Sequence, residues 1–123
     1  MENTFISAEY LKENFEDKNL VILEASFFLP NMNRNASEEF LEEHISNSQF
    51  FDIDKICDLN SKLPHMLPNA SYFQQCAQNL GISSESKIIV YDRSPLLSSA
   101  RAWWMFRYFG HKNVCILDGG FRK

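Results

Sequence analysis

The sequence predicts an α/β domain with a central parallel sheet and helices on both faces. Three observations carry this. Lys87 to Phe109 reads KIIVYDRSPLLSSARAWWMFRYF, a short apolar β-rich run feeding a turn and then a helix, which is half of a βαβ unit. Leu20 to Ala25 (LVILEA) is a second apolar run of strand length. Between and beyond these two, short strand-like runs alternate with helical segments, the pattern of a parallel sheet.

The elements follow in order. Ser7 is placed to cap a short first helix beginning Ala8-Glu9-Tyr10-Leu11, because its hydroxyl can accept an orphan helix N–H. Leu20–Ala25 is the first buried strand, and residues 26–36, with Pro30, Asn31, Asn33 and Asn35, form a loop. A second helix begins at Ser37 and ends near His44. Its acidic first turn, Glu38-Glu39, suits the positive end of the helix dipole, and His44 suits the negative end. Gln49-Phe50-Phe51 is the next strand. Residues 52–68 form a loop longer than most; such loops are usually functional or disordered, and its apolar residues favour order. Asn69 caps a third helix, Tyr72–Leu80, which Gly81 stops. Ile88–Tyr91 is a strand buried on both faces. Pro95 and the serines 94, 98 and 99 offer a start for a helix from Leu97 to Phe109, and Gly110 ends it. Val114–Leu117 is the last strand, and Asp118-Gly119-Gly120 is a turn.

Bulk properties narrow the function. The 123 residues suit one domain, and 45% apolar residues, eleven of them Phe, supply a core. A net charge of −4 argues against nucleic acid or an anionic membrane as the main partner. No run reaches the roughly 20 apolar residues of a membrane span. Nothing near Met1 resembles a secretory signal. Cys57, Cys76 and Cys115 are odd in number and far apart, with neither CxxC nor zinc spacing. The expectation is a cytoplasmic protein with small buried thiols and no cofactor or metal. The chain closes three residues after Gly119-Gly120. A closing helix is expected to cover that face of the sheet; either such a helix is missing or something else packs there, and the chain, residues 1–123, reads as a piece of a longer polypeptide.

Ligands in parallel α/β sheets bind at the carboxyl ends of the strands, which directs attention to the loop from Asp92 to Ser98. It holds an aspartate and no thiol. Asp92 reads as a satisfied cap or as the partner of Arg93 or Arg101. No cysteine in the chain is followed six residues later by the arginine a cysteine phosphatase needs. Asp52-Ile53-Asp54 after an apolar strand invites a different reading, an aspartyl phosphotransferase with Asp52 as nucleophile. The motif follows the second strand rather than the first, and no later acidic pair stands ready for a metal. The plainer reading has both aspartates stabilising turns. His65, between Pro64 and Met66, reads from the residues alone as a packed histidine, and His111 as exposed. The helix 97–109 is apolar almost all round, so it is either deeply buried or presents one edge to a second domain.

Three segments together resemble a known family. VYDRSPLLSSARAWWMFRYFGHKNVCILDGG is similar to the N-terminal domain of two-domain rhodanese-type sulfurtransferases, the thiosulfate and 3-mercaptopyruvate sulfurtransferases. FFDIDKICDLNSKLPHMLP looks like the long loop of that domain, and EFLEEHISNSQFFDID resembles its box E-Y-x-x-x-H-I-P-G-A. The likeness runs from about Ser7 to Gly120. It implies a rhodanese-like fold and a catalytic C-terminal domain, the expected partner, whose loop cysteine becomes a persulfide. The matching position here is Asp92. Ser46-Asn47-Ser48 replaces Pro-Gly-Ala, and Pro95 stands where relatives often have Gly, which removes one amide from the loop. The resemblance also implies that Asp54 and His65 match an Asp and a His that support the other domain's active site.

The expectation is thus a catalytically silent domain of a sulfurtransferase that moves sulfane sulfur from 3-mercaptopyruvate or thiosulfate to a thiol or cyanide. The alternatives are a stand-alone interaction module and the phosphotransferase.

Overall fold

The computed structural model describes residues 4–28, 32–53, 55–58, 67–93 and 98–118. In chain order these form β1 (Phe5–Ile6), α1 (Ala8–Glu13), β2 (Leu20–Glu24), α2 (Ala36–Glu42), β3 (Ser48–Phe50), α3 (Ala70–Asn79), β4 (Lys87–Tyr91), α4 (Ser98–Tyr108) and β5 (Val114–Leu117). The strands make one five-stranded sheet of order β1-β5-β4-β2-β3. Every pairing is parallel; Ile22 faces Ile89 across β2 and β4, and Ile89 faces Cys115 across β4 and β5.

Side chains alternate across the sheet with period two, and both faces are apolar. Leu23, Ile88, Val90, Val114 and Ile116 join Phe73 of α3 and Ala102, Met105 and Phe106 of α4 in the larger core. Ile22, Ile89, Tyr91 and Leu117 on the opposite face meet Leu11 of α1. Burying each such side chain contributes about 1.5–3 kcal/mol. Phe106 is the hub of the larger core. Its ring lies 5.6 Å from Phe51 and 5.1 Å, edge-on, from Phe73.

The caps explain where the helices sit. Ser7, Asn35 and Asn69 each accept a backbone N–H from the residue three ahead, at 3.1, 3.0 and 2.8 Å. α3 and α4 end alike. Ile82 N bonds Ala77 O and His111 N bonds Phe106 O, with Gly81 at φ +80 and Gly110 at φ +95. This is the left-handed stop that glycine permits and other residues resist.

The structure departs from the sequence reading at several places. β1 was not anticipated; its two residues gain strand character only by pairing with β5, a non-local event. α2 begins at Ala36, one residue before the expected Ser37, and Asn35 caps it. β3 begins one residue earlier than expected, and Phe51 leaves the strand while its N–H still bonds Glu24 O at 2.8 Å. His111 is not exposed: its Nε2 lies 2.8 Å from Ser86 O. α4 is not sealed all round, since Trp104 is 45% and Tyr108 61% exposed. Cys57 and Cys115 are buried, whereas Cys76 is only half-buried. Leu97, Pro95, Ser94 and the turn Gly119-Gly120 lie outside the described residues.

Candidate functional site

The strands β2 and β4 deliver two acidic residues to the same edge of the sheet. Glu24 closes β2, and Asp92 follows β4 directly. Both are buried, Glu24 completely and Asp92 to 7% exposure. Asp92 Oδ2 accepts the backbone N–H of Ser99, in the first turn of α4, at 2.6 Å. A carboxylate there satisfies one orphan donor and faces the positive end of the helix dipole.

Glu24 is held differently. Its Oε1 receives Arg93 Nη2 at 2.8 Å and its Oε2 receives Arg93 Nε at 3.0 Å, a bidentate pair. Ser26 Oγ donates to Glu24 Oε2 at 2.8 Å and itself accepts from Arg93 N at 3.0 Å. Arg93 Nη2 also donates to the carbonyl of Glu43, just past α2. One guanidinium therefore ties together the ends of β2, β4 and α2. The expected Asp92–Arg93 pairing gives way to Arg93–Glu24, because Glu24 points from β2 onto the face that Arg93 reaches. Arg101, in α4, lies with its guanidinium 5.9 Å from the Trp104 ring centroid.

Tyr91 extends this cluster. Its hydroxyl lies 3.1 Å from Ser48 Oγ and accepts from Ile45 N at 3.2 Å. Burial, and then the nearby Glu24 charge, push its phenol up to about 12 against those hydrogen bonds. The phenol is thus neutral at any physiological pH.

Residues Glu24, Ser26, Ser48 and Tyr91 were not singled out from the sequence. The available signal was Glu24 itself, a carboxylate inside the otherwise apolar run LVILEA, where a buried charge demands a partner. Asp52 is half-buried, and its backbone carbonyl accepts Lys55 N at 3.0 Å and Ile56 N at 2.8 Å, a turn. Asp54 and His65 lie outside the described residues. Among the described residues no group of three His, Cys, Asp or Glu gathers to hold a metal. A small cleft of about 200 Å³ opens at this edge beside Ser26, Arg34 and Asp52. A larger cavity, about 560 Å³, lies at the other end of the sheet. It is not where the chemistry of a parallel sheet is sited, so size does not identify the functional edge here.

The strand order and the parallel pairing are those of a rhodanese fold. The chain belongs to the rhodanese family: the model of the rhodanese-like domain matches residues 7–123. It is 48% identical over 117 residues to the 3-mercaptopyruvate sulfurtransferase of Mus musculus, covering 94% of this chain and 39% of that protein. It is 43% identical over 115 residues to thiosulfate/3-mercaptopyruvate sulfurtransferase 1 of Arabidopsis thaliana, covering 94% of this chain and 30% of that one. Among solved structures it is similar to the 3-mercaptopyruvate sulfotransferase SseA from Escherichia coli. There the TM-score is 0.88 with 40% identity, over 96% of this chain and 45% of that chain. The chain therefore spans less than half the length of these relatives, and it aligns with their N-terminal part.

Proposed function

We propose that this domain is the non-catalytic half of a sulfurtransferase. In that enzyme a catalytic C-terminal rhodanese domain moves sulfane sulfur from 3-mercaptopyruvate or thiosulfate to a thiol or cyanide acceptor. The observation that carries the reading is Asp92: a buried carboxylate, bonded to Ser99 N, at the position that the family resemblance matches to a cysteine. Sulfur transfer needs a thiolate. It attacks the donor's outer sulfur, forms an S–S bond and expels pyruvate as its enolate, or sulfite. A carboxylate oxygen cannot store sulfane sulfur in this way. Asp92 instead fills the place of the anion that a helix N-terminus would otherwise bind.

In this reading the domain acts as a scaffold. Arg93, Glu24 and Ser26 fix the loop edge, and Asp54 and His65, on the long loop, support the active site of the second domain. An imidazole oriented by a carboxylate is held in one tautomer, and its cation is stabilised; such a group can move a proton as sulfur leaves. The substrates are small sulfur-bearing anions. The identity of the relatives supports this reading over a stand-alone interaction module.

The test is thiocyanate formation from thiosulfate and cyanide, and pyruvate release from 3-mercaptopyruvate. The purified 123-residue chain is expected to give neither. A protein containing the second domain is expected to give both, dependent on that domain's loop cysteine. Activity in the isolated chain that disappears on replacing Cys57, Cys76 or Cys115 would overturn the proposal.

A further inference from the structure

A cavity of about 560 Å³ lies far from the edge that carries Asp92. It opens between α3, from Ala70 to Gln78, and the C-terminal end of α4, beside the residues that lead into β4 and β5. That volume is in the range of small-molecule sites. Its apolar wall is built from Phe73, Phe106, Phe109 and Ile82. Phe73 and Phe109 stack with centroids 4.5 Å apart and planes at 20°, and Phe106 meets Phe73 edge-on. Gly110, at the end of α4 with φ +95, also lines the cavity.

The polar side of the cleft has a sign. The chain holds 16 Asp and Glu residues against 12 Lys and Arg. Yet no described carboxylate lines this cavity, whereas Lys112 and His111 do. His111 is fixed by its Nε2 on Ser86 O at 2.8 Å, and Lys112 is exposed. On the same wall, Asn113 Oδ1 is buried and finds no hydrogen-bond donor. An acceptor left without a partner in a buried setting is destabilising. The group that would relieve it is a donor arriving in the cleft.

We propose that this cleft binds a planar aromatic anion bearing an N–H donor. The rings lie against Phe73 and Phe109, the anionic group meets Lys112, and the N–H reaches Asn113 once its amide turns toward the cavity. The apolar wall supplies the affinity. The single cation and the absence of carboxylates select against aromatic cations. The site lies at the opposite end of the sheet from Asp92 and uses none of the residues around it.

The probe is 8-anilinonaphthalene-1-sulfonate, which carries fused and single aromatic rings, one N–H and one sulfonate. It is titrated into the purified protein and followed by fluorescence. One saturable site is expected. Ala77→Trp, which fills the cavity from α3, is expected to weaken binding at least tenfold, and Lys112→Glu at least fivefold. Replacing the exposed aromatic Trp104, which does not line the cavity, by Trp104→Ser is expected to leave affinity within twofold. Lys112→Glu is a surface change and reads out the site even if Ala77→Trp fails to fold. Binding that is unsaturable, that survives Lys112→Glu unchanged, or that disappears with Trp104→Ser overturns the proposal.

Discussion

Glu24 and Arg93 form a buried bidentate ion pair, 2.8 Å at its shorter contact, between residues 69 positions apart in the chain. The Glu24 side chain is wholly buried and that of Arg93 is 11% exposed. Removing one partner leaves an uncompensated charge in the core. Arg93→Met is therefore expected to destabilise the fold by about 3–5 kcal/mol. The double variant Glu24→Leu with Arg93→Met should lose clearly less, because no charge is stranded. Urea unfolding of the parent, both single variants and the double measures the coupling. Equal losses in Arg93→Met and the double would show that the pair is not the source of the penalty.

Tyr91 makes the stability of the domain sensitive to alkali. Its phenol is raised from 10.0 to about 12 in the folded state, first by burial. The folded chain therefore keeps a proton that the unfolded chain releases. The contribution is fully present below pH 10 and is lost as pH rises toward 12, at about 1.4 kcal/mol per pH unit. Tyr91→Phe removes this slope, at the cost of the bonds to Ser48 and Ile45. Stability measured from pH 9 to 12 should fall more steeply in the parent than in Tyr91→Phe. Parallel curves would rule out Tyr91 as the titrating group.

Two positions in and beside α4 separate packing from backbone effects. Phe106 is 1% exposed and touches both Phe51 and Phe73. Phe106→Ala is expected to cost about 3–5 kcal/mol, since a cavity replaces the hub of the larger core. A Cβ added at Gly110 would meet nothing within 4 Å, so only its φ of +95 opposes Gly110→Ala. The cost there should be about 1–2 kcal/mol. Thermal or urea unfolding checks both, and a neutral Gly110→Ala would mean that the helix stop relaxes freely.

Much of this fold was legible because its signals are local. Ile88 to Tyr91 is apolar at every position, as a strand buried on both faces must be, and Gly81 and Gly110 announce helix ends by a conformation other residues resist. β1 was illegible because Phe5 and Ile6 become a strand only against Ile116 and Leu117. The candidate site divides the same way. Asp92 is visible from its place after a buried strand. The partner of Arg93 was not, because choosing Glu24 over Asp92 depends on how two strands distant in sequence set their ends side by side. The aromatic helix α4 could not be assigned a buried or exposed edge from composition, since Trp103 and Trp104 are adjacent in sequence but differ in exposure.

Asp54 and His65 carry a prediction for the two-domain sulfurtransferase proposed above. If they support the second domain's chemistry, then in a protein holding both domains His65→Ala should lower turnover with 3-mercaptopyruvate at least tenfold. Its folding should be unchanged, and the pH–rate profile should flatten on the limb that the imidazole controls. Asp54→Asn should act in the same direction with a smaller effect, because it removes the group that orients the imidazole rather than the imidazole itself. Parent-level turnover in His65→Ala would assign His65 to packing alone.

On the proposed reading Asp92 leaves this domain without sulfurtransferase activity, and the position itself can be tested. Asp92→Cys places a thiol at the end of β4, within reach of Ser99 N, the donor that now serves the carboxylate. A catalytic thiol needs more than this. Its thiolate must be favoured by several donors and by positive charge nearby. The adjacent cation, Arg93, is already committed to Glu24 and to the Glu43 carbonyl. Pro95 contributes no N–H to the loop. Asp92→Cys is therefore expected to give thiocyanate at no more than about 1% of the rate of a competent sulfurtransferase, with kcat values of roughly 1–10³ s⁻¹ typical of enzymes. Mass spectrometry after exposure to thiosulfate should find little persulfide on the new thiol. If instead the thiol takes up sulfur readily and turns over at such rates, the scaffold is intact and the carboxylate was all that kept it inactive. A parallel Asp92→Ala variant distinguishes the two effects of the change. It should lose stability by about 1 kcal/mol or more through the vacated Ser99 N–H, without gaining any activity.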